Sequence, residues 1–214
     1  MTSQPTHKIP RQLLAGIYAF SPNRETLGAV SYLIVENTGN ILIDCPLWDE
    51  TNRQFLINQG GVSCLFLTHR NAIGKQVKQM QEFLRCQIVI QEQEAYLLPE
   101  ISKTTFENEI EISPNCLGIW SPGYSPGSCC LYYKKNGGVL FSGRHLLSDP
   151  DGKLRPLRNE KTFHWPRQLK SVELLRNRFN RDNLSVIIPA ANTGYLRGKG
   201  YFENAYEALS EGNW

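Results

Sequence analysis

Each half of this chain begins with a pattern typical of antiparallel hairpins and continues with strands and helices in alternation. The turn sequence NTGN at 37–40 separates two apolar runs in the first half, and NGG separates residues 128–135 from 139–143 in the second. Hairpins without helices fit poorly into a doubly wound parallel sheet, which is the alternative architecture. The pattern therefore favours an α/β fold with two mixed sheets packed together and helices outside, a four-layer αββα sandwich.

Residues 62–90 form the clearest strand–helix–strand pattern. VSCLFLT at 62–68 is apolar on both faces and is predicted to be a buried strand. Residues 73–85 place apolar side chains at helical spacing, and QIVI at 87–90 is the next strand, so the two strands should pair in parallel. The same reasoning predicts helices over 50–59, 165–179 and 201–209, and strands over 14–20, 29–36, 41–45, 109–112, 116–120 and 184–190.

The bulk composition is that of a globular protein. The 214 residues are 41% hydrophobic and 20% charged, and we expect them to form a single domain over 1–214. The formal net charge of +3 gives no strong electrostatic reason to expect nucleic acid or a membrane as a partner. No apolar stretch approaches the roughly 18–20 residues of a membrane span.

The compartment is inferred from the N-terminus and the cysteines. Residues 1–12 lack the basic-then-apolar pattern of a secretory signal and are predicted to be a polar lead-in to the first strand. The cysteines lie in apolar segments without a CxxC pair, which favours buried free thiols over disulfides or a zinc knuckle. We therefore expect a cytoplasmic protein.

Four segments, in the same order along the chain, resemble motifs of the metallo-β-lactamase superfamily. The segment at 31–46 resembles the opening hairpin that ends in an Asp, and 64–76 resembles the strand that delivers the His-x-His-x-Asp-His loop. The most specific segment, WSPGYSPGSCCLYYKKNGGVLFSGRHLL at 120–147, resembles the "PGHTPGS … VLFTGD" block, and VIIPAANTG at 186–194 resembles the "PGHG" strand. The resemblance implies the αββα fold and, in ordinary members, hydrolysis by two zinc ions that activate a bound water.

The ligand positions that the resemblance implies are almost all changed in this chain. His69 matches the first ligand histidine, and Asn71 stands where the second would be. Two registers of this loop are open: the later ligands fall on Ile73 and Gly74 in one, and on Asn71, Ala72, Lys75 and Gln76 in the other. Tyr124 replaces the histidine of the PGH turn, Arg144 the bridging Asp, and Ala191 the last histidine.

These replacements predict that no zinc is bound. A tight zinc site needs three or four N, O or S ligands, and His69 alone cannot provide them. Arg144 puts a fixed positive charge where a dication belongs. Arg144 is expected either to occupy the metal volume and pair with an acid such as Asp44, or to face solvent. Tyr124 is expected to fill the cavity with its ring or to present its hydroxyl to a ligand.

Three hypotheses for function follow. The first is a pseudo-enzyme without cofactor, whose remnant cleft of His69, Asn71, Tyr124, Arg144 and Ala191 binds a small molecule or a protein, or serves only as core. The second is an active ester or thioester hydrolase with a single-metal or metal-free site. Its candidate catalytic residues are His69, Asp44, Cys45 and His145, including a Cys45–His69 nucleophile pair. The third is a homo-oligomeric interaction module.

Overall fold

The computed structural model of the protein describes residues 8–212 and residue 214, so residues 1–7 of the predicted lead-in lie outside the description. The first sheet contains seven strands: β1 (Arg11–Leu14), β2 (Ile17–Ala19), β3 (Tyr32–Ile34), β4 (Ile41–Ile43), β5 (Cys64–Leu67), β6 (Gln87–Gln91) and β7 (Thr104–Phe106). They lie side by side in chain order. Strands β1 to β4 are antiparallel neighbours, and β4 to β7 are parallel.

The second half supplies the remaining strands: β8 (Glu109–Ser113), β9 (Cys116–Trp120), β10 (Cys129–Tyr133), β11 (Val139–Gly143), β12 (Leu147–Ser148), β13 (Leu154–Arg155), β14 (Val186–Pro189) and β15 (Phe202–Glu203). Six of them form the second sheet in the order β15-β14-β11-β10-β9-β8, and β12 pairs with β13 separately. Within the second sheet only the β11–β14 pairing is parallel.

The helices cover the outer faces of the two sheets. They are α1 (Glu50–Asn58), α2 (Val77–Leu84), α3 (Trp165–Arg178) and α4 (Ala205–Ser210). Side chains capping the first turns fix two helix starts: Asp49 accepts from the Asn52 amide at 2.8 Å, and His164 accepts from the Arg167 amide at 3.1 Å. No helix among the described residues is long and apolar enough to cross a bilayer.

Three apolar clusters separate the layers. The central cluster lies between the sheets and includes Tyr32, Phe66 and Phe141. A second cluster joins the first sheet to α1 and α2, and a third joins the second sheet to α3 and α4. This arrangement is the predicted four-layer αββα sandwich.

Most predicted elements are present, and the errors have local causes. Strands β5 and β6 are parallel, as the strand–helix–strand pattern predicts. The single strand predicted over 14–20 is wrong: Gly16, with a φ of 72°, reverses the chain, so that β1 and β2 form a hairpin. The helix predicted over 201–209 begins only at Ala205, because residues 202–203 pair with β14 instead.

All six cysteines are buried and carry no disulfide. Cys129 and Cys130 point to opposite faces of β10, one into the central cluster and the other toward α3, as strand alternation requires.

Candidate functional site

Asp44 anchors the cleft where β4 and β5 end. Its backbone has a φ of 61°, so the chain turns sharply directly after β4. Its carboxylate oxygens accept hydrogen bonds from the Thr68 amide and the Thr68 hydroxyl, both at 2.8 Å. Burial raises the pKa of Asp44 to about 7, although the Thr68 hydrogen bonds and the charge of Arg144 act in the opposite direction. Asp44 therefore occupies a structural position that joins the two strand ends.

Thr68 connects Asp44 to His69 in one hydrogen-bonded chain. The Thr68 hydroxyl lies 2.7 Å from Nδ1 of His69. When Asp44 is ionised, the hydroxyl donates to the carboxylate, so Nδ1 must carry the His69 proton and Nε2 becomes an acceptor. Nε2 is buried and has no hydrogen-bond partner among the described residues. Burial, together with Arg144 and Arg70, lowers the pKa of His69 well below its usual value, so its ring is neutral at pH 7.

Tyr124 fills the space beside His69. Its ring meets the His69 imidazole edge-on, with 5.1 Å between ring centroids and 75° between the planes. Its hydroxyl donates to Oδ1 of Asn71 at 2.9 Å, and the side chain is almost completely buried. Tyr124 thus occupies the cavity with its ring while its polar end is paired within the protein.

Arg144 closes the cleft from the second sheet. Its guanidinium lies 5.9 Å from the centre of the Tyr124 ring. Its Nη2 donates to the carbonyls of Leu27 at 2.6 Å and Thr26 at 3.3 Å, in the loop that follows β2. The side chain is half-buried, and its Nε has no partner among the residues described. Arg144 forms no ion pair with Asp44 or any other described acid, so its fixed contacts are with backbone carbonyls.

The other sequence-predicted residues lie around this group without joining it. Ala191 is buried just after β14 and presents only a methyl group. Cys45 packs in the cluster beneath α1 and α2, and no hydrogen bond joins it to His69 among the described residues. The carbonyl of His145 accepts from Gln168 of α3 at 2.9 Å. Both His145 ring nitrogens are buried without a hydrogen-bond partner among the described residues, and burial lowers the pKa of His145 to about 3.

Several residues of the cleft were not singled out from the sequence. Thr68 is the central link, and its position directly before His69 was the available signal. Glu94 is completely buried and accepts from Nε of Arg70 and from the Gly127 amide, each at 3.3 Å. A side chain at Gly127 would come within 2.8 Å of Glu94, so this close approach requires glycine. No sequence pattern around Glu94 indicated this role.

The cleft residues do not fit a zinc site. The chemistry needs at least three donor groups converging on one ion, and no group of three or more His, Cys, Asp or Glu side chains among the described residues is arranged to hold one. Oδ1 of Asn71 already accepts the Tyr124 hydroxyl, and Arg144 adds positive charge. We therefore assign no chemistry to a metal in this cleft.

Solved structures with a similar architecture identify the fold. An archaeal metallo-β-lactamase superfamily protein from Sulfolobus tokodaii has a TM-score of 0.60 at 14% identity, with 92% of this chain and 84% of that chain covered. A metallo-β-lactamase family protein from Thermus thermophilus has a TM-score of 0.64 at 18% identity, with 94% and 79% covered. The chain has the metallo-β-lactamase fold.

A third structure with this fold comes from Cronobacter sakazakii and carries mutations in its HARLDQ motif. Its TM-score is 0.63 at 12% identity, with 95% of this chain and 93% of that chain covered. No protein-family profile and no curated protein matches the chain. At these identities the likeness establishes the metallo-β-lactamase fold, and the argument for function depends on the cleft.

Proposed function

We propose that this protein is a non-hydrolytic binding protein in which the metal cleft of the metallo-β-lactamase fold has become polar core. One observation carries the proposal. Asn71 and Tyr124 stand at two positions where the resemblance implies ligand histidines, and they are hydrogen-bonded to each other at 2.9 Å. Neither an amide oxygen nor a neutral phenol is among the usual zinc ligands, and the hydrogen bond holds the two groups against each other.

Electrostatics supports the same conclusion. A dication about 6 Å from a guanidinium is repelled by roughly 5 kcal/mol at an effective dielectric constant of 20. Arg144 lies 5.9 Å from the ring that fills the cleft and stays protonated at any physiological pH. Removing ligands weakens a metal site, whereas adding Arg144 opposes the ion directly.

The test combines metal content with activity. Protein produced with added zinc, iron and manganese should contain far less than one equivalent of metal, and it should not turn over generic ester, thioester, lactone or phosphodiester substrates. Stoichiometric metal in this protein would overturn the proposal. The variant Asn71→His/Tyr124→His/Arg144→Asp/Ala191→His restores the four ligand types and should gain zinc. Tyr124→Phe, which keeps the ring, should not.

A metal-free hydrolase is the second candidate, and the Asp44–Thr68–His69 chain favours it. While Asp44 is ionised, these hydrogen bonds fix the His69 tautomer and leave Nε2 as an acceptor, which is the arrangement of a general base oriented by a carboxylate. Against it, His69 is 2% exposed and Tyr124 covers it. Turnover that disappears in a folded His69→Ala variant would establish the second candidate.

A further inference from the structure

A groove on the outer face of the second sheet, away from the cleft, is open to solvent. It lies between α3 and strands β8 and β9 and has a volume of about 430 Å³, within the range of small-molecule sites. Ile119, Trp120 and Leu175 line its apolar interior, and Leu174 of α3 stands at its rim with 67% of its surface exposed. We name this feature the α3 groove.

Helical periodicity places charge beside this apolar surface. Arg167, Lys170, Leu174 and Arg178 lie three to four residues apart and therefore share one face of α3. The exposed leucine is thus flanked by cations at both ends of the groove. Most of the accessible surface inside the groove is nevertheless apolar.

The cations at the two ends differ in whether they are neutralised. Arg178 forms a two-armed ion pair with Glu109 of β8. Arg167 lies 4.9 Å from the centre of the Trp120 ring, and neither Arg167 nor Lys170 forms an ion pair with any residue in the described part of the chain. The first turn of α3 contains no acidic residue, so the helix dipole adds to the positive potential at this end.

The walls of the groove are held in place by hydrogen bonds. Ser171 Oγ donates to the carbonyl of Pro122 at 2.7 Å, and Nε1 of Trp120 donates to the carbonyl of Pro126 at 2.9 Å. A side chain at Gly123 would overlap the backbone of Gln168, so the loop after β9 packs directly on α3. The site is therefore largely formed before any ligand binds.

We propose that the α3 groove binds a small amphipathic carboxylate. The apolar body of the ligand lies on Trp120, Leu174 and Leu175, and its carboxylate meets Arg167 and Lys170. Carboxylate suits this end because a guanidinium binds it through paired N–H donors, and the ammonium of Lys170 adds a further charged donor. A neutral ligand would leave both cations without partners. This inference is independent of the closed cleft, since the two sites share no residue.

The experiment uses the full chain and defined probes. Isothermal titration with sodium decanoate and with 1-naphthoate should give a dissociation constant on the order of 0.1–1 mM. Decanol, the uncharged match, and inorganic phosphate, which lacks the apolar body, should each bind at least about tenfold more weakly. Equal binding of decanoate and decanol, equal binding of phosphate, or no binding of either carboxylate would overturn the proposal.

Variants then locate the site. Arg167→Gln/Lys170→Gln should weaken the binding of decanoate at least about tenfold without changing the weak binding of decanol. The matched control is Arg53→Gln/Lys78→Gln, on the helices α1 and α2 of the opposite face. It removes the same charge, and Arg53, like Arg167, lies near a tryptophan ring, 6.0 Å from the centre of that of Trp48. The control should bind as the unmodified protein does. Unchanged binding in the first variant, or an equal loss in the control, contradicts the assignment.

A second copy of the chain is the competing occupant of the α3 groove. Leu174→Asp places a negative charge at the rim and should abolish decanoate binding while leaving the size of the protein in solution unchanged. A dimer that Leu174→Asp converts to monomer would show instead that this groove is a contact between copies.

Discussion

The cleft and the α3 groove differ in whether a ligand can reach their polar groups, since in the cleft even Nε2 of His69, which has no hydrogen-bond partner among the described residues, is buried. In the cleft, the hydroxyl of Tyr124 pairs with Asn71, Asp44 pairs with Thr68, and Arg144 donates to the carbonyls of Leu27 and Thr26. In the groove, an exposed leucine lies beside Arg167 and Lys170, which form no ion pair with any described residue. A shared architecture therefore does not fix where a ligand binds, because binding needs polar groups that a ligand can reach.

The largest effect should come from removing the ring that fills the cleft. Tyr124→Ala leaves a cavity beside His69 and should lower the free energy of unfolding by about 3–5 kcal/mol. Tyr124→Phe keeps the ring and loses only the hydrogen bond to Asn71, so it should cost about 1 kcal/mol. Urea denaturation measures both values. A loss below about 1 kcal/mol for Tyr124→Ala would mean that the ring does not pack as core.

The pH dependence of stability tests the buried histidine next to Arg144. The unfolded chain protonates His145 near its ordinary pKa, whereas the folded protein does so only near pH 3. The contribution of neutral His145 to the free energy of unfolding is therefore fully present above about pH 6.5. It decreases as the pH falls, by about 2 kcal/mol at about pH 5. His145→Leu should remove this part of the acid loss and leave stability at neutral pH unchanged or higher, because it removes two buried ring nitrogens that have no hydrogen-bond partner among the described residues.

The unmodified protein must be compared with His145→Leu because Asp44 changes the free energy of unfolding with pH in the opposite direction to His145. Its pKa is raised to about 7, so the stability that its neutral form contributes is present below about pH 4 and is lost as the pH rises toward 7. Identical acid profiles for the two proteins would contradict the buried, neutral state of His145. Denaturant unfolding at a series of pH values provides the measurement.

Arg144 should have a smaller effect on stability than Tyr124. Arg144→Gln removes a charged donor from the carbonyls of Leu27 and Thr26 and should cost about 1–2 kcal/mol. The same variant removes a charge that lowers the pKa of Asp44, so that pKa should rise further. Thermal unfolding and titration of Asp44 by NMR check the two outcomes. A more stable Arg144→Gln protein would mean that charge burial outweighs these hydrogen bonds.

The smallest effect belongs to the groove. Arg167→Gln/Lys170→Gln should change the free energy of unfolding by no more than about 0.5 kcal/mol, because neither side chain has an ion-pair partner among the described residues. Thermal unfolding of this variant and of Tyr124→Ala under the same conditions compares the two effects directly. A loss of several kcal/mol in the groove variant would show that these cations stabilise the fold and are not held available for a ligand.

Several elements could be predicted because their signal is local. Strand β5 has apolar side chains on both faces, which only a strand between two packed layers can bury, and it is completely buried. The 165–179 pattern predicts α3 to within one residue at its end. The edge strands were harder: β12, β13 and β15 have two residues each, too few for any periodicity.

In the cleft, the sequence identified the replaced positions but not their contacts. It pointed to Tyr124 and Arg144 through the "PGY" and "SGR" strings, and it left open whether Arg144 pairs with an acid or faces solvent. The structure gives it backbone carbonyls from the loop after β2, 117 residues away in sequence. A carbonyl is present in every residue, so no sequence pattern indicates this kind of partner.

Hydrophobic periodicity and side-chain identity are properties of the chain alone, so the sequence predicts the layered architecture and shows which side chains stand at the ligand positions that the resemblance implies. Which side chains fill the cleft is visible only in the tertiary structure. Tyr124, Asn71 and His69 come from separate segments, and their contacts depend on how the two sheets align. The α3 groove arises for the same reason: its cations lie on one helix, but Trp120 and Glu109 reach them from two strands that only folding brings together.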